Sequence, residues 1–198
     1  TGAVTITTND DSGSNADVTI DGGTTALVIA ASTVDGDLTL TGGNASGITD
    51  SGTVTIGGNL AATTDANNGV INMGTLAVDG TIALVTDGNG NATIVNDAGL
   101  TFAASTVGGT LSATATTGNI ADSGNLAITG AATFITAVSG SNIILDSSGN
   151  AFTDAVTLKA DSDGDEVFGN ITFVDSGAVK FDSNANAAGD LFLDAAPN

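Results

Sequence analysis

Apolar residues alternate with polar or small ones along nearly the whole chain. Val4/Ile6, Val18/Ile20, Leu27/Ile29, Leu38/Leu40, Val54/Ile56, Leu76/Val78, Ile82/Leu84 and Leu100/Phe102 are all i, i+2 pairs. The pattern continues through Leu126/Ile128, Val156/Leu158, Ile171/Phe173, Val179/Phe181 and Leu191/Leu193. A period of two predicts short strands with one face buried and Thr, Ser, Asp or Ala pointing outward. Gly-Gly, Asp-Gly, Ser-Gly and Asn-Gly steps separate the pairs and predict tight turns. No window carries a 3.6-residue apolar stripe, so no helix is expected, at the ends or elsewhere.

The pattern also repeats at long range. Ile48-Thr49-Asp50-Ser51-Gly52-Thr53-Val54-Thr55-Ile56 returns as Ile120-Ala121-Asp122-Ser123-Gly124-Asn125-Leu126-Ala127-Ile128, an offset of 120 − 48 = 72. Ala30-Ala31-Ser32-Thr33-Val34 returns as Ala103-Ala104-Ser105-Thr106-Val107, an offset of 103 − 30 = 73. Many short strands fit a sandwich, a barrel or a parallel β-helix, and internal duplication selects the last, because a solenoid stacks like residues on like. The expectation is one all-β domain over residues 1–198, a parallel β-helix of roughly eight coils without helical caps. Its repeats would span 30–102 and 103–175, each holding three coils of roughly 24 residues.

Certain stretches resemble a known family. The run Ala104-Ser105-Thr106-Val107-Gly108-Gly109-Thr110-Leu111-Ser112-Ala113-Thr114-Ala115, the segment from Ile120 to Gly130, and Leu145-Asp146-Ser147-Ser148-Gly149-Asn150-Ala151-Phe152 with its continuation to Leu158 are similar to repeats of filamentous-haemagglutinin-like large bacterial surface proteins. The resemblance implies a right-handed parallel β-helix in an exported adhesin shaft or filament. It covers most of residues 30–160 and carries over no functional residue, since the shared motifs are strand and turn scaffolding.

Composition narrows the function classes. Two lysines, Lys159 and Lys180, stand against 22 acidic residues, for a net charge of −20. Such a surface cannot neutralise a run of phosphates, so nucleic acid is excluded as a partner, and no apolar run approaches the ~20 residues of a spanning helix, so membrane insertion is not expected. With 41% hydrophobic and only 12% charged residues, the chain has the means to fold around a core. There is no Cys, His, Tyr, Trp or Arg, which leaves carboxylates and two lysines for any acid–base chemistry and predicts a non-enzymatic protein. The first residue is Thr1, with no signal peptide in sight, which reads as a processed or excerpted product of an extracellular, surface-located protein.

Three candidate features follow. Asp161, Asp163, Asp165 and Glu166 form the densest acidic cluster and could gather oxygens around calcium, although Gly164 breaks the spacing of an EF-hand loop. Thr5/Thr7, Thr39/Thr41 and Thr53/Thr55 raise an ice-binding ladder, interrupted by Leu76-Ala77-Val78 and Leu126-Ala127-Ile128. The ends, with Val4 and Ile6 at one and Phe181, Leu191, Phe192 and Leu193 at the other, are expected to stack head-to-tail on a second copy or on covalently adjoining repeats. Four of the seven Phe, namely Phe168, Phe173, Phe181 and Phe192, fall near the second end. A module binding glycans or host proteins is the alternative; separately, Asn44, Asn91 and Asn170 sit in Asn-x-Ser/Thr triplets, the pattern of N-glycosylation acceptors, which so Asn- and Thr-rich a chain matches by chance.

Overall fold

The computed structural model describes residues 2–8, 15–160 and 167–180, together with the backbone of Leu191–Ala195. Every strand pairing in it is parallel, and the strands fall into two stacked sheets without a helix among the described residues. The chain passes from one sheet to the other and back, so each turn consists of two half-turns.

Half-turns come in two kinds. A straight half-turn is one strand, usually of five residues. A split half-turn is two short strands joined at a bend, or one long strand with a bulge. In chain order the first seven are β1 (Val18–Asp21), straight; β2 (Leu27–Ile29) with β3 (Ser32–Val34), split; β4 (Leu38–Gly42), straight; β5 (Ile48–Asp50) with β6 (Val54–Ile56), split; β7 (Leu60–Thr64), straight; β8 (Ile71–Val78), split by its bulge; and β9 (Thr81–Val85), straight. The next seven begin with β10 (Ala92–Asn96), straight. They continue with β11 (Leu100–Phe102) and β12 (Ser105–Val107), split; β13 (Leu111–Ala115), straight; β14 (Ile120–Asp122) and β15 (Leu126–Ile128), split; and β16 (Ala132–Thr136), straight. They close on β17 (Ile143–Leu145) with β18 (Ala151–Phe152), split, and β19 (Val156–Lys159), straight. Then come β20 (Ile171–Asp175) and β21 (Leu191–Ala195).

From β1 to β19 straight and split thus alternate, except where β9 and β10, both straight, follow one another. This places β1, β4 and β7 on one sheet but their counterparts β10, β13 and β16 on the other. The long repeat is therefore three and a half turns, rather than the three coils of roughly 24 residues expected from an even division. The register explains why. Rungs of the second sheet succeed one another at Leu27, Ile48, Ile71, Ala92, Leu111, Ala132 and Val156, with steps from 111 − 92 = 19 to 156 − 132 = 24, shorter on average than the expected coil. From β1 to β19 the solenoid makes about seven turns.

Alternation dictates the core. Those seven rung residues are all buried and stack on one another through the solenoid, with Leu38, Leu60 and Ile82 doing the same on the facing sheet. Aromatic rings fill the interior beside small residues such as Ala113, which stacks on Phe134: Phe102 of one sheet meets Phe134 of the other edge-on at 6.0 Å, Phe134 meets Phe152 at 6.1 Å, and Phe152 meets Phe173 at 5.0 Å. Phe173 is fully buried, so it belongs to the core rather than to an open end; Phe168 is partly buried, while the side chains of Phe181 and Phe192 lie outside the described residues. Turns are packed as closely as the strands. A Cβ on Gly43 would collide with the backbone carbonyl of Gly23 one turn below, and Gly47, at φ +54°, is pressed in the same way against Val70.

Candidate functional site

The bends of the split half-turns carry most of the polar organisation. A bend cannot continue the backbone ladder, so side chains complete it. Ser105 Oγ accepts the Leu84 amide at 3.0 Å and donates to the Ala103 carbonyl, and Ser32 does the same for Ile6 at 2.9 Å and Ala30. Asn150 Oδ1 accepts the Leu126 amide at 2.8 Å. Asn96 brackets Val78, accepting its amide at 2.8 Å and donating to its carbonyl at 3.1 Å and to that of Gly99 at 2.8 Å. All four side chains are buried.

The repeated Asp-Ser-Gly has a sharper role than a turn signal. Asp50 accepts the amides of Gly74 and Thr75 one turn on, at 3.0 and 2.7 Å, and the Thr75 hydroxyl at 2.8 Å. Its counterpart Asp122 accepts the amides of Asp146 and Ser147 and the side-chain amide of Asn150. Each carboxylate thereby fixes the bend of the next turn.

A second polar series runs along one edge. Asp17 accepts the Asp37 amide, Asp37 the Asn59 amide, and Asn59 the Thr81 amide, at 2.7–2.8 Å; after the step between β9 and β10, Asn119 accepts from Asn142 and Asn142 from Asn170, both at 2.7 Å. The three Asn-x-Ser/Thr asparagines serve the scaffold as well: Asn91 Oδ1 accepts the Thr110 amide, the Asn170 amide joins this ladder, and Asn44 closes its own turn by accepting the Ser46 amide. Sequence reasoning missed these ladders, although an Asn or Asp directly before successive strands was a visible signal.

Where split β8 lies against straight β10, the two profiles do not match and a cleft of about 270 Å³ opens. Its lining includes Thr53, Thr75, Val95, Asp97 and Thr116, with the side of Leu76 as floor. Hydroxyls and one carboxylate can hold a small polar molecule by hydrogen bonds. Among the described residues no three acidic side chains converge on a point.

The sequence-predicted sites fare unevenly. Asp161, Asp163, Asp165 and Glu166 lie outside the described residues, as does Phe181, and of Leu191, Phe192 and Leu193 only the strand is described: it pairs with β20. Val4 and Ile6 are brought together as an extra rung over β2 and β3, with Val4 opposite Ile29 and Ile6 buried. Thr33 and Thr55 stack in register but meet Ala77 at the next rung, where the Thr ladder breaks off. Lys180 donates to the Thr153 carbonyl at 2.9 Å.

The half-turn order can be set beside known repeats. A model of a family described as "Repeats of unknown function (DUF5649)" matches residues 15–75 and again 89–159, together about two thirds of the chain. The chain belongs to this repeat family. Its two matches begin three residues before β1 and three before β10, so the DUF5649 repeat and the three-and-a-half-turn unit start at the same place in the fold. No curated protein and no solved structure matches the chain.

Proposed function

We propose that this DUF5649 protein is a non-enzymatic structural element of the bacterial cell surface, a shaft segment in which tandem solenoid units hold a distance. The observation that carries the reading is the continuous series of paired rungs from Leu27 to Val156, which crosses the boundary between the two family repeats and stays paired there through the β8–β10 bulge. Two repeats joined in this way act as one rod rather than as two beads, at about 4.8 Å per turn. The resemblance of residues 104–130 and 145–158 to filamentous-haemagglutinin-like repeats supports an extracellular location and the right-handed coil.

The shaft differs from a filament protomer in one respect: a protomer polymerises alone, whereas a shaft segment has its neighbours in the same chain. Electron microscopy of the purified chain, with and without calcium, should show single short rods, and regular fibres would move the reading to a self-assembling filament. Protease shaving of intact source cells should release the chain, and its persistence until lysis would overturn the surface assignment. A glycan- or protein-binding module is the second reading, favoured by the cleft at Thr53, Asp97 and Thr116. A glycan array that lights up for the wild type and goes dark for Asp97→Ala would establish it.

A further inference from the structure

Residues outside the two family matches repeat parts of the same unit. Residues 2–8 match 80–86 in four contacts. Val4 lies opposite Ile29 as Ile82 lies opposite Phe102, and Thr7 opposite Thr33 as Val85 opposite Thr106. The Ile6 amide donates to Ser32 Oγ at 2.9 Å as Leu84 does to Ser105 at 3.0 Å, and Thr8 Oγ1 accepts the Asp35 amide as Thr86 accepts that of Gly108, both at 3.0 Å. Residues 2–8 therefore stand where the last half-turn of a unit stands.

The other end begins a unit. β20 pairs with β21 from Ile171↔Leu191 to Asp175↔Ala195, the register in which β10 pairs with β13 from Ala92↔Leu111 to Asn96↔Ala115. Asp175 Oδ1 accepts the Phe152 amide at 3.0 Å, as Asn96 accepts that of Val78. β20 lies on the sheet of β1 and opposite to that of β10, so the start of the unit changes sides at every repeat.

We infer that the edge formed by residues 3–7 and β1 is a docking surface for the closing half-turns of another unit of this same repeat, a straight strand and a bulged one like β7 and β8. The occupant follows from continuity with an interface already present: β9 and β10 are the internal counterparts of residues 3–7 and β1, and they are covered on that side by β7 and β8. Among the described residues nothing pairs with this edge from outside. Val18 and Gly22 turn their amides to the Asp37 and Thr41 carbonyls, and Val4 and Thr8 turn theirs to Val28 and Thr33, which by alternation leaves the backbone groups of Thr5, Thr7, Thr19 and Asp21 facing outward. The carboxylates of Asp17 and Asp21, both exposed there, disfavour casual strand pairing. One contact differs: Gly22 stands where Asn96 brackets Val78, so the new junction would lack that clamp.

The inference stands on register and survives if the surface location proposed above fails. Its test is a fusion of a second copy of residues 15–79 to Gly2, which sets the half-turns in phase, compared with a copy of 15–68, which ends on a straight strand and sets them out of phase. Hydrogen exchange should slow on the order of 100-fold at Thr19 and Asp21 in the first and stay unchanged in the second. Scattering should show the rod longer by about 17 Å. If the in-phase fusion does not fold, replacing residues 196–198 with a copy of 116–160 tests the same unit from the other end, by protection of the outer amides of β21. Equal protection in both fusions, protection in neither extension, or end-to-end polymers of the unmodified chain that protect Thr19 would overturn the inference.

Discussion

Asp175 is 1% exposed, and while its Oδ1 accepts the Phe152 amide, its Oδ2 has no partner among the described residues. Asn96, at the equivalent bend, points an amide at two carbonyls instead. Asp175→Asn should therefore stabilise the protein by about 1–2 kcal/mol, read as a higher urea midpoint with an unchanged slope. Ser105→Ala works in the other direction, stranding the buried Leu84 amide at a cost of about 1–3 kcal/mol in the same assay. These residues were hard to single out from sequence. Ser, Asn and Asp occur everywhere in the chain, and only register shows which of them replaces a missing backbone partner. The apolar partners were plain, because alternation alone assigns Leu38, Leu40, Val54 and Ile56 to the interior.

A half-turn has its own tolerances. Phe134 sits between Phe102 and Phe152 and stacks on Ala113 and Leu158, so Phe134→Ala opens a cavity between the sheets; the expected loss is about 3–5 kcal/mol, measured by thermal or urea unfolding. Gly43→Ala forces a turn off the one beneath it, and should lower the melting temperature while leaving circular dichroism of the folded state unchanged. Existence and type of the strands were legible, and so was their stacking. The number of turns per repeat was not. Loops between rungs vary in length: the step from Ala92 to Leu111 is 111 − 92 = 19, whereas that from Ile143 to Ile171 is 171 − 143 = 28. An offset of 72 is thus compatible with three turns or with three and a half. What decides is the succession of two straight half-turns at β9 and β10, and nothing in their composition marks it.

Across the whole molecule, the charge of −20 and the half-integer repeat have the widest consequences. Stacked carboxylates such as Asp17 and Asp37 lie one rung apart, so screening should raise the melting temperature by several degrees between about 0.01 and 0.5 M sodium chloride; a flat response would mean that repulsion between turns is negligible. Calcium acting beyond an equal ionic strength of sodium would point to bound ions. The half-integer repeat means that features recurring once per unit appear alternately on opposite sheets. It can be measured directly, because the chain has no native cysteine. Thr55 and Ala127, both exposed and one repeat apart, take spin labels at Thr55→Cys and Ala127→Cys, and double electron–electron resonance reads their separation. With three and a half turns between them the labels stand on opposite sheets, beyond about 25 Å; a separation near 15 Å, as for three whole turns on one face, would contradict the account.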